Sequence, residues 1–192
     1  METTKMRQRL AALLYEKSYR EGDFVLASGR HSPYYFDGRQ TALHPEGAWL
    51  IGKLFNELLR DIPGLAGVGG MTLGADPLVS ATSVISYEEG RNLAALIVRK
   101  NAKDHGTGQY LEGLANFAPG QKVAMLEDVV TTGGSLLKAC ERVREAGFEI
   151  AAVCCVLDRE EGGREAIREA GYELRPLFTR SELVSLAKAN LS

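Results

Sequence analysis

The stretch from residue 123 to residue 135 combines acidic side chains with a run of small residues. It begins with the apolar residues 123–126, continues with the neighbouring carboxylates Glu127 and Asp128, and then reads Val-Val-Thr-Thr-Gly-Gly-Ser. The apolar part predicts a buried strand, and the apolar spacing after Ser135 predicts an amphipathic helix. Because ligands of open α/β sheets bind beyond the carboxyl ends of the strands, the acidic pair is predicted at the rim of a cleft.

The small residues that follow the acidic pair are suited to hold a phosphate group. Residues 131–135 would present backbone N–H groups and hydroxyls at a helix N-terminus. No lysine follows the glycines, which argues against a nucleotide-hydrolysing P-loop. A ribose 5-phosphate fits better, since Glu127 and Asp128 can accept hydrogen bonds from ribose hydroxyls and help to organise Mg²⁺. The alternative is an ordinary strand-turn-helix connection with Asp128 as a solvated cap.

Two acidic residues followed by Thr-Thr-Gly-Gly-Ser resemble the phosphoribosyl pyrophosphate motif of the type I phosphoribosyltransferases. The resemblance implies an α/β fold with a central parallel sheet flanked by helices and a small N-terminal hood. Asp128 would be catalytic, and Mg²⁺ would be bound mainly through the substrate, without direct side-chain ligation. The residues implied to bind phosphoribosyl pyrophosphate here are Glu127, Asp128, Val129, Val130, Thr131, Thr132, Gly133, Gly134 and Ser135.

A second cluster, in residues 99–108, carries three cations and a histidine within seven residues. A basic loop of this kind can close over pyrophosphate, exclude water and neutralise the charge that develops on the leaving group. The alternative for an exposed basic loop is a merely solvated surface.

The string Arg-Lys-x-x-Lys-x-His-Gly-Thr-Gly resembles the catalytic loop of the orotate phosphoribosyltransferases in particular. The resemblance implies that Arg99, Lys100, Lys103 and His105 bind the pyrophosphate part of the donor. Lys103 and His105 would act catalytically and reach into the partner subunit's site, which predicts a homodimer with shared active sites. Either His105 or Asp104 would handle a proton, a hypothesis that unchanged turnover after their replacement would remove.

Two further segments resemble parts of the same family. Residues 24–35 resemble its orotate-contacting segment, where backbone groups near Tyr35 and Phe36 would meet the pyrimidine. The alternative is that these aromatic side chains simply pack the hood. Residues 69–77 resemble the family's pyrophosphate loop, although a plain strand-to-helix turn uses such glycines as well.

Arg159 follows an apolar strand, in the sequence Leu-Asp-Arg. By the same resemblance, Arg159 and Thr131 would bind orotate. A guanidinium suits this role because its planar fork matches a carboxylate with two hydrogen bonds. The alternative is a surface ion-pair cluster of Arg159 with Asp158, Glu160 and Glu161.

The resemblance covers nearly the whole chain, with three departures. Ala27 and Leu73 stand where some family members carry lysines near the donor phosphates. The acidic pair is Glu127 and Asp128 rather than two aspartates, which lengthens one arm without removing its charge. We expect activity to survive these changes.

The composition sets further bounds. With 192 residues, 45% of them hydrophobic, the chain predicts a single domain over 1–192, whose hood is formed mainly by about residues 1–40 with C-terminal contributions. A net charge of −2 argues against nucleic acid and membrane as partners. The three cysteines are expected to be buried free thiols, and the lack of a leader predicts a cytoplasmic protein. His31 and His44 are expected to be non-catalytic, and Trp49 to pack within its helix.

Regular alternation of strand and helix patterns predicts the elements that position these residues. Apolar strands alternating with helices indicate a parallel sheet covered on both faces. Helices are predicted at 6–15, 46–60, 75–88, 134–146, 163–170 and 181–190. Strands are predicted at 24–29 and 32–37 in the hood and at 65–69, 93–98, 122–128, 149–157 and 173–178 in the main sheet, with a polar loop at 99–110.

The motifs together favour magnesium-dependent transfer of the 5-phosphoribosyl group from phosphoribosyl pyrophosphate to orotate. The products would be orotidine 5-phosphate and pyrophosphate, in the biosynthesis of UMP. The nearest alternative is a purine or uracil phosphoribosyltransferase, whose acceptor pocket would not need Arg159. A more distant alternative is a non-catalytic regulator that senses the same donor and binds nucleic acid, which the mild acidity of the chain disfavours.

Overall fold

The structure is a computed structural model that describes residues 2–25, 31–101 and 110–189. The helices are α1 (Thr3–Lys17), α2 (Arg39–Ala42), α3 (Pro45–Leu58), α4 (Asp76–Glu88), α5 (Gly134–Glu145), α6 (Gly163–Glu169) and α7 (Arg180–Ala189). The strands are β1 (Tyr19–Val25), β2 (His31–Phe36), β3 (Leu65–Met71), β4 (Ala94–Val98), β5 (Leu111–Glu112), β6 (Lys122–Val130), β7 (Glu149–Asp158) and β8 (Leu174–Thr179). A short 3-10 helix spans Leu114–Asn116.

Six strands form the main sheet in the order β5-β4-β3-β6-β7-β8. Neighbouring strands are parallel except at the edge, where β5 runs antiparallel to β4. The chain leaves β3 towards one edge of the sheet and leaves β6 towards the other, so β3 and β6 flank a topological switch point. Ligands of open parallel sheets bind beyond the strand ends at such a point.

Two apolar cores cover the two faces of the sheet, and β6 contributes to both. Ala124 and Leu126 belong to the core that α1, α3, α4 and α7 complete, whereas Val123 and Met125 belong to the core under α5 and α6. This alternation is the period of two expected of a strand, and burial on both faces explains its continuous apolar sequence. The predicted fold class is confirmed.

The hood is the antiparallel hairpin of β1 and β2. Its inner side is fixed by stacked rings, with Tyr15 to Tyr19 at 5.2 Å and Tyr19 to Tyr34 at 5.4 Å between ring centroids. The prediction of a first hood strand at 24–29 was wrong in its bounds, because β1 begins at Tyr19 and residues 26–30 lie outside the described residues. The early part of β1 is mostly polar and exposed, so it lacks the alternation that would reveal a strand.

One other expectation needed correction. The strand predicted to end at residue 128 continues to Val130, because pairing with β7 extends as far as Val130 opposite Asp158. Trp49 is 39% exposed on α3, and the Lys53 ammonium of the same helix lies 5.7 Å from its ring centroid, which agrees with packing within its helix.

The three cysteines are free and buried, as predicted. Burial raises the pKa of both the Cys140 and the Cys154 thiol to about 12. In the part of the chain that the structure describes, every helix is too short or too polar to cross a bilayer.

Candidate active site

A cleft of about 340 Å³ lies beyond the carboxyl ends of β3, β6 and β7, beside the end of the hood. It brings together groups that are far apart in the sequence: the acidic pair, part of the small-residue loop, the last hood residues and three cations. Its lining residues are Tyr35, Phe36, Asp37, Arg39, Met71, Thr72, Leu73, Gly74, Lys100, Glu127, Asp128, Val129, Thr131, Ser135 and Arg159.

The acidic pair occupies the floor of this cleft in two different environments. Glu127 is only 7% exposed, whereas Asp128 is partly exposed. Burial and the neighbouring charge of Asp128 raise the pKa of Glu127 well above its ordinary value, an effect that the charge of Lys100 opposes. Asp128 accepts a hydrogen bond of 2.9 Å from the Val129 backbone N–H. Asp128 lies in the last part of a central strand, beside buried Glu127, so it is not a solvated cap.

Two glycines make room for the Asp128 side chain. A Cβ atom on Gly74 would lie 2.8 Å from Asp128 Oδ1, and one on Gly38 would lie 3.1 Å from Asp128 Cβ. A contact of 2.8 Å would force a shift, and one of 3.1 Å is tight enough that the neighbour must give way slightly. The loop after β3 and the segment after the hood therefore both pass close to the Asp128 side chain. Gly74 of the 69–77 motif thus leaves space for Asp128 in addition to forming a turn.

The small residues after β6 line a second cavity of about 100 Å³ that adjoins the cleft. Gly133 precedes α5 with φ +81°, a conformation that glycine adopts at little cost. The first N–H groups of an α-helix have no partner within the helix. The cavity is lined by Glu127, Val129, Val130, Thr131, Thr132, Gly133, Gly134, Ser135 and Leu136. We name this cavity the phosphate cradle, because its loop and helix N-terminus form the anion-binding arrangement that the sequence predicted.

Arg159 is held at the other side of the cleft by hood residues. It is 8% exposed, and its Nε donates a hydrogen bond of 2.7 Å to the Tyr34 hydroxyl. Its Nη2 pairs with Glu161 Oε1 at 2.9 Å, and the Tyr34 hydroxyl donates to that same carboxylate at 3.0 Å. Burial raises the pKa of Tyr34, against the effect of Arg159, so the phenol stays neutral and can both donate and accept.

The alternative of a surface ion-pair cluster around Arg159 holds only for its pair with Glu161. Asp158 accepts from Arg164 at 3.0 Å, and Glu160 accepts from Ser181 at 2.6 Å. Arg159 itself is buried under the hood and lines the cleft.

The two hood residues predicted near the acceptor differ in exposure. Phe36 is buried, which agrees with a packing role, whereas Tyr35 is partly exposed and has its ring 5.6 Å from that of Phe24. Both residues line the cleft, so packing of the hood and proximity to a ligand are compatible at these two positions.

The predicted basic residues divide into three groups. Lys100 lines the cleft, but the side chain of Arg99 points to β5 and pairs with Glu112 at 3.1 Å. Lys103 and His105 lie outside the described residues, as does Ala27. Leu73 is 63% exposed at the cleft, where some family members carry a lysine.

Sequence reasoning missed one cation of the cleft. Arg39 lines the cleft and pairs with Asp37 through two contacts of 2.8 and 3.1 Å, and the Arg39 hydrogen bond lowers the pKa of Asp37. The available signal was the order Phe-Asp-Gly-Arg at the end of an aromatic strand.

Comparison with known proteins identifies the family. The family model of the phosphoribosyl transferase domain matches residues 78–172. The chain is 46% identical over 182 residues to an orotate phosphoribosyltransferase of Nostoc sp., covering 95% of this chain and 87% of that protein. It is 49% identical over 178 residues to the enzyme of that name from Thermosynechococcus vestitus, covering 93% of each.

A solved structure shows the same fold. Orotate phosphoribosyltransferase of Mycobacterium tuberculosis, in complex with phosphoribosyl pyrophosphate, aligns with a TM-score of 0.78 and 37% identity. The alignment covers 93% of this chain and 99% of the other. The resemblance that the motifs carried is thereby confirmed, and the chain belongs to the orotate phosphoribosyltransferase family, with the type I phosphoribosyltransferase fold.

Proposed function

We propose that this chain transfers the 5-phosphoribosyl group from phosphoribosyl pyrophosphate to orotate, releasing orotidine 5-phosphate and pyrophosphate. The observation that carries the proposal is one cleft with the acidic pair and phosphate cradle on one side and buried Arg159 on the other. Family membership supports the same reaction, since the relatives named above are orotate phosphoribosyltransferases.

The donor side of the cleft is suited to a ribose phosphate. The phosphate cradle would take the 5-phosphate, through N–H groups at the start of α5 and the hydroxyls of Thr131, Thr132 and Ser135. Glu127 and Asp128 would accept hydrogen bonds from the 2- and 3-hydroxyls of the ribose. Lys100, and by resemblance Lys103 and His105, would face the pyrophosphate. Arg99, which the resemblance also implies, would have to leave its pair with Glu112 to do so.

The acceptor side is suited to a planar anion. Arg159 would bind the carboxylate of orotate, with Thr131 and the backbone near Tyr35 and Phe36 completing the contacts. The Tyr34 hydroxyl and Glu161 fix the guanidinium before the ligand arrives, so less side-chain entropy is lost on binding.

The donor set also fits Mg²⁺. Within the described ranges, no group of three or more histidine, cysteine or acidic side chains is arranged to hold a metal ion. Two adjacent carboxylates are nevertheless the hard oxygen ligands that Mg²⁺ favours alongside waters and substrate phosphates. We therefore place Mg²⁺ near Glu127 and Asp128, held mainly through the substrate, where it would neutralise charge on the leaving pyrophosphate.

Positioning and electrostatics would supply most of the rate enhancement. Orotate is already an anion, so a strong general base is not required at its ring nitrogen. The cleft holds the two reactants side by side, and the cations would stabilise the pyrophosphate as its bond to the ribose breaks. A role of His105 or Asp104 in proton transfer stays a hypothesis.

We further propose a homodimer with shared active sites. Large apolar side chains are exposed at Val84 and Tyr87 on α4 and at Leu73 just before it, which supports burial of this surface by a second copy. A single domain over residues 1–192 and a cytoplasmic location also remain predictions, the latter supported by the three free thiols.

The reaction is tested by following orotate absorbance with phosphoribosyl pyrophosphate and Mg²⁺ present. We expect loss of orotate that requires both the donor and the metal and stops on addition of a chelator. Uracil and hypoxanthine are offered as competing acceptors. Turnover of either one in place of orotate would overturn the acceptor assignment, and turnover of no base would overturn the transferase assignment.

Shared active sites are tested by complementation. Lys103→Ala and Asp128→Asn chains, each nearly inactive alone, are expressed together. If Lys103 acts in the partner's site, half of the dimers are mixed and each mixed dimer holds one intact site. Activity should then rise to about a quarter of the wild-type value. Dimers by sedimentation without any rise in activity would exclude sharing.

A further inference from the structure

Arg142 is a buried cation of α5 that does not line the cleft. It is 9% exposed, and its guanidinium donates hydrogen bonds to the backbone carbonyls of Arg99 and, at 3.1 Å, of Lys100. The same guanidinium lies 3.9 Å from the ring centroid of Tyr110. Its Nη1 also approaches the Met71 sulfur at 3.8 Å. One side chain therefore contacts the end of β3, the residues after β4 and the residue before β5.

These contacts join the two described segments that border residues 102–109. The Arg99 N–H donates a hydrogen bond of 2.7 Å to the Tyr110 carbonyl, which links the two segments directly. Arg142 adds a further connection, with hydrogen bonds on one side and a stacked ring on the other. The backbone position of Lys100, which lines the cleft, is therefore set from α5.

The chemistry of Arg142 argues against a role in stability alone. Its partners among the described residues are carbonyl oxygens, a thioether and an aromatic ring. Burying a charge without a carboxylate among such partners is costly, and an apolar side chain of similar volume would usually stabilise the fold as well or better. What an apolar residue cannot do is hold two successive carbonyls with a planar fork.

The position of Arg142 on α5 links it to the phosphate cradle. Ser135 in the first turn lines the cleft, and Arg142 follows seven residues later, on the same face of the helix. Seven residues of α-helix span about 10 Å. One rigid helix therefore fixes the separation between the cradle and the backbone that carries Lys100.

We propose that Arg142 is a positioning residue for phosphoribosyl transfer, which fixes Lys100 beside the acidic pair and at a set distance from the phosphate cradle. The inference rests on the proposed function, because it assumes that Lys100 contacts the pyrophosphate of the donor. Arg142 itself does not face the reactants. Its loss should weaken donor binding and leave acceptor binding nearly unchanged.

The test compares Arg142→Met with Arg144→Met, a matched control at an exposed arginine of the same helix. We expect the KM for phosphoribosyl pyrophosphate to rise about tenfold in Arg142→Met, the effect of one lost charge-assisted hydrogen bond. The KM for orotate should change less than about twofold, and Arg144→Met should resemble the wild type. A thermal midpoint for each variant identifies any loss of folding.

Two further variants keep the test decisive. Arg142→Lys retains the charge and can reach one carbonyl, so it should recover part of the lost donor affinity. Tyr110→Leu removes the stacked ring at a partly exposed position, where the fold tolerates a change, and should raise the same KM by a smaller factor. If Arg142→Met does not fold, Arg142→Lys and Tyr110→Leu decide the question.

Lys100→Met separates the inference from the function on which it rests. If Lys100→Met raises the KM for phosphoribosyl pyrophosphate and the Arg142 and Tyr110 variants do not, the positioning role is overturned and the role of Lys100 stands. If Lys100→Met has no effect, the role of Lys100 in donor binding is overturned and the inference falls with it. Equal rises in both KM values for Arg142→Met would show a merely structural role.

Discussion

The donor and acceptor sides of the cleft are built in different ways. The part of the donor side proposed to hold the ribose phosphate is one continuous run of sequence, residues 127–135, at the end of the central strand β6 and the start of α5. The acceptor side is assembled from three distant segments, in which Tyr34 of β2 contacts Arg159 after β7 and lies under Arg180 of α7. The donor side is therefore shaped by backbone, and the acceptor side by contacts between side chains.

This difference indicates how each side responds to change. Backbone N–H groups of the phosphate cradle survive most side-chain replacements, so the donor side depends chiefly on the charge of its carboxylates and on the glycines around Asp128. The acceptor side depends on a chain of hydrogen bonds through the Tyr34 hydroxyl, in which each member orients the next. Four replacements test the contrast.

Asp128→Asn should have the largest effect. It removes the more exposed charge of the acidic pair while keeping its shape, and we expect kcat/KM for phosphoribosyl pyrophosphate to fall about 10³-fold, as for the loss of one preorganised group in other enzymes. Steady-state rates at varied donor and Mg²⁺ measure the effect. Asp61→Asn, at an exposed position after α3, serves as the control. A loss below about tenfold would contradict a central role for Asp128.

Arg159→Met should act on the acceptor alone. Loss of a two-pronged contact with a carboxylate should raise the KM for orotate about 100-fold, with little change in the KM for phosphoribosyl pyrophosphate. Arg168→Met, at an exposed arginine of α6, provides a matched control. Equal changes in both KM values would erase the distinction between the two sides.

Tyr34→Phe should have a smaller effect on the same side. The ring remains to pack against Tyr19, but the hydroxyl that accepts from Arg159 Nε is lost. We expect the KM for orotate to rise about tenfold, the effect of one hydrogen bond to a charged group. Tyr172→Phe, away from the cleft, controls for loss of a phenol. An unchanged KM would show that the Tyr34 hydroxyl is not needed to orient the guanidinium.

Glu127→Gln should have the smallest effect of the four. Unlike the other three replacements, which impair substrate use, it should stabilise the folded protein. The folded state raises the pKa of Glu127, so it binds more protons than the unfolded chain, and stability is lost as pH rises from near the ordinary value of 4.5. Glutamine removes this loss. We expect its thermal midpoint without substrate to exceed that of the wild type by about 3 °C at pH 8, and the difference to shrink towards pH 4. A lower midpoint at pH 8 would contradict the assignment.

The sequence allowed residues 127–135 of the donor side to be placed on their elements. Glu127 to Ser135 are neighbours in the chain, so local patterns were enough to place a strand, a loop and a helix N-terminus. The start of β1 at Tyr19 was missed, because its polar residues form a strand only through pairing with β2.

The acceptor side could be predicted only in part. Arg159 was named through resemblance and Glu161 among its possible ion-pair partners, but Tyr34 was not, since a contact across 125 residues leaves no local pattern. Arg142 was missed for a similar reason. On the sequence it is one more charge on an amphipathic helix, and its burial follows from how the segments around β4 and β5 fold over α5.

The burial of the three thiols has a practical consequence for spectroscopy. At pH 8 a thiol with a pKa of about 12, as for Cys140 and Cys154, is ionised to only about one part in 10⁴. Maleimide dyes react with the thiolate, so the native chain should take up label very slowly. A single cysteine introduced at an exposed position such as Arg144 would then be labelled selectively, without first replacing the natural cysteines, and would report on the neighbourhood of α5 by fluorescence.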